Sequence, residues 1–235
     1  MKYNRDSNQG LEQVGKNKKT FFNLLCFIKN NTSSILNVFH KTNSIFNNVP
    51  QIAILSASVR EGRKSHRVAL YFQNYILENR LAEVEILDLK QYRFPLFDER
   101  LSQQISPTEE VFDFAGRISN ADGIIIVTPE YNGGYPASLK NVTDLLYREW
   151  YHKPVAFSTV SNGPFGGTQV ITSLQFSLWK MKALTVPAMF PVPNVQDSFD
   201  EMGNPADKIQ TDKRAKLLLD ELLWCIEAVA LMKKK

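Results

Sequence analysis

The sequence of 235 residues is poor in the residues that build disulfide frameworks and metal sites. Its only cysteines are Cys26 and Cys225, too few for a disulfide framework or a four-ligand zinc site, and neither His40 nor His152 has a metal-ligand partner at useful spacing. The apolar run of residues 21–28 is far shorter than the roughly 20 residues that span a bilayer. We therefore expect no metal and no membrane association. Both cysteines are interpreted as buried or incidental thiols in a reducing compartment, which predicts a cytoplasmic location.

Charge of one sign is also missing from most of the chain. The net charge of +4 comes from residues 1–48, which hold seven Lys and Arg against two acids, a net of +5. Residues 49–235 hold 21 Lys and Arg against 22 acids, a net of -1. Nucleic acid is therefore not expected as the main ligand.

Residues 1–48 differ in composition from the rest of the chain. They contain ten Asn, whereas the other 187 residues contain eight, and they show no steady apolar period. They also lack the features of a secretory signal or an Arg-rich transit peptide. This composition predicts a disordered or loosely docked N-terminal extension. A second hypothesis is that it is upstream sequence read as protein.

From Val49 onward, β-branched apolar runs alternate with helical patterns, which is typical of βαβ units and a parallel sheet. The predicted strands are 51–56, 83–89, 123–128, 154–160 and 184–190, and the predicted helices are 65–81, one begun by Ser106-Pro107, 136–147, 169–181 and 207–232. The pattern predicts one doubly wound domain over residues 49–235. Ligands of such sheets bind beyond the carboxyl ends of the strands, so the loops there are the candidate site.

The loop after the first strand, residues 56–67, combines hydroxyls, four cationic side chains and the start of a helix. Helix-start N–H groups together with hydroxyl and guanidinium donors suit a terminal phosphate. The alternative is a solvated basic turn in which Ser65 is a helix N-cap. The loop has neither the G-x-G-x-x-G fingerprint nor a Walker A motif, which argues against a kinase or ATPase.

The loops after the third and fourth strands are rich in glycine. Residues 129–136 read Pro-Glu-Tyr-Asn-Gly-Gly-Tyr-Pro, and residues 161–167 read Ser-Asn-Gly-Pro-Phe-Gly-Gly. Bare backbone lets a flat ring approach closely, and tyrosines supply a stacking surface. The alternative for the first of these loops is an ordinary Gly-Gly turn before a helix. Lys140 and Asp144, at i,i+4 in that helix, are interpreted as a structural or interfacial pair.

Three motifs in these loops carry a resemblance to a known family. They are Ser58-Val59-Arg60-x-x-Arg63-x-Ser65, Pro129-Glu130-Tyr131-Asn132 followed by Leu139-Lys140-Asn141, and Ser161-x-Gly163 through Gly167. From about Val49 to Ala230 the chain resembles the NADPH-dependent FMN reductase family of flavodoxin-like proteins, which includes quinone, azo and chromate reductases. One departure is Ala57, where many relatives carry Gly.

The resemblance implies a flavodoxin-like α/β fold, a five-stranded parallel sheet in the order 2-1-3-4-5 with helices on both faces. It implies that the FMN phosphate is surrounded by Ser58, Arg60, Ser65, His66 and Arg67. The isoalloxazine and ribityl chain would be lined by Pro129, Glu130, Tyr131, Asn132 and Gly133, with Ser161, Gly163 and Gly166 closing the far edge. His66 has a rival role as a plain helix-start residue.

The resemblance also implies an activity. NADPH or NADH would deliver hydride to FMN, and a small-molecule acceptor such as a quinone, azo compound or free flavin would then be reduced, with no catalytic side chain required. Family relatives commonly form homodimers or homotetramers, for which the aromatic set Tyr147, Trp150 and Tyr151 is a candidate contact; the alternative is that these residues are ordinary core or rim. The rival hypotheses are a flavodoxin-type electron carrier and a non-catalytic redox-sensing module.

Overall fold

The computed structural model of the chain describes residues 49–233, so the predicted N-terminal extension over residues 1–48 lies outside the described part. Strands and helices alternate along it. The strands are β1 (Gln51–Ser56), β2 (Glu83–Asp88), β3 (Gly123–Pro129), β4 (Pro154–Val160) and β5 (Leu184–Val192). The long helices are α1 (Ser65–Glu78), α2 (Glu109–Asn120), α3 (Ala137–Leu145), α4 (Val170–Lys180) and α5 (Lys208–Lys233). Short helical turns occupy Leu89–Tyr92, Leu101–Gln103, Arg148–Trp150 and Val195–Ser198.

All five strands are parallel and lie in the order β2-β1-β3-β4-β5, which confirms the predicted doubly wound, flavodoxin-like topology. The apolar strands β1, β3 and β4 occupy the centre and are almost completely buried. The edge strand β2 alternates polar and apolar residues and is half-exposed over most of its length. The strand order places the loops after β1, β3 and β4 side by side at one end of the sheet.

The two faces of the sheet are covered by different helices. On one face α1 packs against α5, where the Tyr71 hydroxyl donates to Asp212 over 2.9 Å. Residues of α2, α3 and α4, among them Phe114, Leu139 and Leu174, share a second buried cluster with β1, β3 and β4. Each fully buried side chain of this size contributes roughly 1.5–3 kcal/mol, so the helices fix the sheet firmly beneath its loops.

Several predicted helix boundaries were wrong by two or three residues. Helix α1 ends at Glu78 rather than Leu81, because Arg80 takes a left-handed conformation (φ 52°) that ends the helix. Helix α2 begins at Glu109 rather than at Ser106-Pro107, because Thr108 is extended (ψ 162°). Helix α3 begins after Pro136, which is also extended (ψ 146°), and ends at Leu145 rather than Tyr147.

Two large aromatic side chains are buried in the described part of the chain. Tyr71 lies on the buried side of α1, whereas Leu77 of the same helix is exposed. Trp150, interpreted either as a subunit contact or as a core residue, is fully buried in the core of this chain. None of the helices within residues 49–233 has the length and apolarity that a bilayer crossing requires.

Candidate functional site

A cavity of about 240 Å³ opens where the loops after β1, β3 and β4 meet. Its lining residues are Ser58, Arg60, Gly62, Arg63, Lys64, Ser65, Pro129, Glu130, Tyr131, Val160, Ser161, Asn162 and Val195. All three loops contribute, as the parallel topology requires. The geometry therefore brings the candidate motifs into one place.

The structure gathers part of the predicted site at this cavity and leaves part outside it. The predicted residues that line it are Ser58, Arg60, Ser65, Pro129, Glu130, Tyr131 and Ser161. Those that do not are His66, Arg67, Asn132, Gly133, Gly163 and Gly166. Lining residues outside the predicted set are Gly62, Arg63, Lys64, Val160, Asn162 and Val195. Most of these adjoin a motif, but Val195 comes from the turn after β5, where no motif marks it.

Ser65 is a buried hydroxyl with no hydrogen-bond partner among the described residues. It is the first residue of α1 and is 4% exposed. The helix is preceded by Lys64, and within residues 49–233 no side chain caps its first turn. The alternative interpretation of Ser65 as the N-cap is therefore wrong. Because an unpaired buried hydroxyl costs about 1–3 kcal/mol, its place beside the uncapped start of α1 points to an anionic ligand.

The four cations of the first loop are not equivalent. Arg63 donates to both carboxylate oxygens of Asp88 at 2.5 Å and to the carbonyl of Ser58 at 2.6 Å. Arg67 turns away from the cavity, donating to the carbonyl of Phe199 at 2.9 Å. Arg60 and Lys64 line the cavity, and neither forms an ion pair within residues 49–233. Arg63 therefore shapes the loop, whereas Arg60 and Lys64 supply the uncompensated positive charge.

His66 and Asp88 interact with each other and with the first loop, outside the lining of the cavity. His66 Nδ1 is 3.1 Å from Ser56 Oγ and 4.0 Å from Asp88 Oδ2. Burial and the neighbouring Arg63 charge lower the His66 pKa, with Asp88 opposing them. Burial would raise the pKa of Asp88, but the hydrogen bond from Arg63, that from the Lys90 amide and the Arg63 charge together lower it. At neutral pH the arrangement is a neutral imidazole beside an Arg–Asp ion pair.

The loop after β3 forms a tight two-residue hairpin turn. Tyr131 N–H donates to the Gly134 carbonyl at 2.8 Å, and Gly134 N–H returns a bond to Tyr131 at 3.1 Å. The central residues Asn132 and Gly133 both have positive φ, 53° and 80°. This is the type I′ geometry that Asn-Gly favours, so the local sequence selects the turn. It presents bare backbone at the edge of the site.

Two contacts join this turn to the first loop. Ser58 Oγ and the Tyr131 hydroxyl are 2.7 Å apart, and the Arg60 guanidinium lies 5.5 Å from the centroid of the Tyr131 ring. A cation in that position is attracted by the ring face. Tyr131 therefore holds Ser58 and Arg60 in place, rather than standing free as a stacking surface.

The loop after β4 is held close to its neighbours by glycines. Gly167 (φ 71°) leaves room for the Val160 carbonyl at 3.1 Å and for Glu130 at 3.3 Å from where a Cβ would stand. Gly166 (φ 64°) similarly approaches Pro191 and Val192. A side chain at either position would be strained as well as crowded. These glycines fix the loop's path, while Ser161 reaches the cavity.

The described residues fit a phosphate at one end of the site and a flat ring at the other. The unpaired Ser65 hydroxyl, the uncapped α1 and two free cations suit a dianion. The Tyr131–Gly134 turn suits a ring that needs close backbone approach. An FMN molecule has this combination of a terminal phosphate and a planar ring system.

Comparisons with known proteins identify the family of the chain. The sequence model of the family described as NADPH-dependent FMN reductase matches residues 50–197. The NAD(P)H-dependent FMN reductase of Saccharomyces cerevisiae is 37% identical over 145 residues, covering 56% of this chain and 75% of the yeast protein. The NADPH azoreductase of Bacillus sp. strain OY1-2 is 28% identical over 163 residues, covering 69% of this chain and 87% of that protein.

Solved structures share the fold. The flavoenzyme NAD(P)H:(acceptor) oxidoreductase FerB from Paracoccus denitrificans superposes with a TM-score of 0.61 at 22% identity, covering 75% of this chain and 98% of that chain. At that identity the likeness shows the flavodoxin-like fold alone. The family match confirms the resemblance that the three loop motifs indicate. The chain belongs to the NADPH-dependent FMN reductase family, and it is an enzyme that uses FMN with NADPH or NADH as electron donor.

Proposed function

We propose that the cavity at the start of α1 binds the FMN phosphate, and that the enzyme transfers hydride from NAD(P)H through FMN to a small-molecule acceptor. The observation that carries this proposal is Ser65, whose buried hydroxyl has no partner among residues 49–233 and lines the cavity. A buried hydroxyl without a hydrogen-bond partner destabilises the folded chain. A phosphate oxygen that accepts a hydrogen bond from Ser65 would remove this destabilisation.

Each loop has a role in this proposal. Arg60 and Lys64 offset the two negative charges of the phosphate, and the first N–H groups of α1 donate to its oxygens. Ser58, already bonded to Tyr131, can accept or donate at the phosphate end of the ribityl chain. The remaining predicted binders, including His66, Arg67, Gly163 and Gly166, would act by supporting these loops.

The turn after β3 would carry the ring. In the described part of the chain, the amides of Asn132 and Gly133 make no backbone hydrogen bond, and they stand at the tip of the Tyr131–Gly134 turn. Such amides stabilise negative charge on a nearby ring nitrogen or oxygen. When bound, FMN supplies the two-electron chemistry itself, so the protein needs to provide orientation and electrostatics rather than a side-chain nucleophile.

The acceptor is proposed to be a quinone, an azo compound, free flavin or a similar molecule. The name of the Bacillus azoreductase supports the azo class, and the FMN reductase name of the yeast protein supports free flavin.

We also propose that residues 49–235 form the FMN-binding domain and that the enzyme works in the cytoplasm as a homodimer or homotetramer. Light scattering of the purified full chain measures the oligomeric state.

An anaerobic titration tests the proposed function. The purified protein, loaded with FMN, is mixed with NADPH and then with a quinone or azo dye while flavin absorbance is followed. Bleaching by NADPH and recovery with the acceptor, repeated over many turnovers, is the expected result. A flavodoxin-type carrier or a redox-sensing module would bind FMN but would not sustain NADPH oxidation, and that outcome would overturn the proposal.

A further inference from the structure

A second cavity lies against the other side of the first loop, the one that follows β1. It has a volume of about 540 Å³, and we infer that it receives the adenosine 2′-phosphate end of NADPH, which makes it the part of the enzyme that selects NADPH over NADH. Its lining residues are Val59, Glu61, Leu89, Lys90, Arg93, Phe94, Pro95, Leu96, Ala137, Ser138, Asn141 and Val142. The inference rests on the proposed function, because it assigns a place to that reaction's electron donor.

The first loop separates the two cavities. Successive residues alternate between them: Ser58, Arg60 and Gly62 line the proposed FMN cavity. Val59 and Glu61 line the second one. Because the loop follows β1, the Leu89–Leu96 wall follows β2, and the remaining wall belongs to α3, which follows β3, both cavities lie at the carboxyl end of the sheet. A donor whose nicotinamide reaches the flavin can therefore extend its other end into the second cavity.

The charge of the second cavity favours an anion. It contains two cations and one acid, a net of +1. Lys90 is paired with Glu61 at 2.9 Å. Arg93 is exposed and forms no ion pair or side-chain hydrogen bond within residues 49–233. A guanidinium left free in a cavity is the group best suited to a phosphate monoester, which it binds through two N–H groups.

The walls around Arg93 suit the attached nucleoside. Phe94, Pro95 and Leu96 follow it directly, and Leu96 is 84% exposed. Apolar surface of this kind packs against a flat base. Asn141 fixes the segment, because its Nδ2 donates to the Pro95 carbonyl at 2.7 Å and its Oδ1 accepts from the Phe97 amide at 2.5 Å. The cavity therefore has a held apolar wall next to a free cation.

Calorimetry with two small nucleotides tests the inference without turnover. Adenosine 2′,5′-bisphosphate carries the distinguishing phosphate, and adenosine 5′-monophosphate lacks it. We expect FMN-loaded wild-type protein to bind the bisphosphate about tenfold more tightly, since one charge-assisted contact is worth roughly that factor. Equal affinities, or no binding of either nucleotide, would overturn the inference.

The matched variants are Arg93→Asn and Arg80→Asn. Both arginines are exposed and left-handed (φ 49° and 52°), a conformation that Asn tolerates, so neither change strains the backbone. Arg80 follows α1 at the opposite end of that helix from the FMN cavity and serves as the control. Arg93→Asn should abolish the preference for the bisphosphate and raise the KM for NADPH about tenfold, with the KM for NADH unchanged.

Removing Glu61, the acid of the second cavity, should change the affinity for the bisphosphate in the opposite direction. Glu61→Gln frees Lys90 and should tighten binding of the bisphosphate while leaving adenosine 5′-monophosphate unaffected. If Arg93→Asn retains wild-type nucleotide selectivity while binding FMN normally, the inference is wrong and the proposed function stands. If the wild-type protein fails to bind FMN or to oxidise NADPH, the proposed function is wrong instead.

Discussion

The hydroxyls of Ser58 and Tyr131 lie 2.7 Å apart and join the loop after β1 to the loop after β3. Tyr131→Phe removes this bond and keeps the ring under Arg60, so we expect FMN affinity to fall by a few fold, equivalent to about 1 kcal/mol. Ser58→Ala removes the same bond from the other side. A double-mutant cycle on FMN dissociation constants should therefore show coupling of about 1 kcal/mol between the two changes, and strictly additive effects would disprove the link.

Ser65→Ala should lower FMN affinity without lowering the stability of the FMN-free protein. The wild-type hydroxyl is buried without a partner in the described structure, so its removal should leave the FMN-free protein as stable as wild type, or stabilise it by up to about 1–3 kcal/mol. FMN affinity should fall about tenfold, because a donor to the phosphate is lost. Urea unfolding and fluorescence titration measure the two effects. Ser173→Ala, whose hydroxyl donates within α4, is the control that should leave FMN affinity unchanged.

The Arg63–Asp88 pair predicts a pH-dependent stability. The pKa of Asp88 is lower in the folded chain than its ordinary value of 3.8, so its stabilising contribution is fully present above about pH 4 and is lost as pH falls through the folded pKa. Asp88→Asn should cost about 3 kcal/mol at pH 7, because it leaves the largely buried Arg63 guanidinium without its partner. Unfolding in urea at pH 7 and pH 3 should show this cost shrinking at the lower pH.

The control for that measurement is Asp98→Asn, which changes an exposed carboxylate outside any ion pair of residues 49–233. It should change stability little at either pH. A cost for Asp88→Asn that is the same at pH 3 as at pH 7 would contradict the account of the pair.

Gly166 should resist substitution because of its backbone. It has a φ of 64°, and an added Cβ would stand 3.0 Å from Pro191 Cβ and 3.2 Å from the Val192 amide. Gly166→Ala should destabilise the protein by roughly 1–3 kcal/mol and weaken FMN binding by displacing the loop after β4. Gly116→Ala, inside α2 with open space around it, should instead stabilise by about 0.5–1 kcal/mol and leave FMN binding alone. Thermal unfolding of both variants provides the comparison.

The sequence predicted the sheet well because its signals are local. Apolar runs located β1, β3 and β4 to within one residue, and the Asn-Gly pair at 132–133 lies in the bare turn that the motif indicated. Strand β5 runs two residues past its predicted end, and the helix ends were set by single left-handed or extended residues that periodicity does not detect.

Which cations of the first loop are paired with other groups, and which remain free to bind a ligand, could not be predicted from the sequence. Arg60, Arg63 and Arg67 are chemically alike and lie in one loop, but Arg63 is neutralised by Asp88, 25 positions away, and Arg67 reaches Phe199, 132 positions away. Such pairings depend on which side chains the fold brings together. Val195 could not be predicted as a lining residue for the same reason, because it reaches the cavity through the pairing of β5 with β4.

The most direct test of the central claim compares FMN with riboflavin, which has the same ring and ribityl chain but no phosphate. Fluorescence titration of the flavin-free protein should give a Kd for FMN about a hundredfold lower than that for riboflavin, because the helix start, two cations and the Ser65 hydroxyl all act on the phosphate. Equal affinities for the two flavins, or no binding of FMN, would contradict the account.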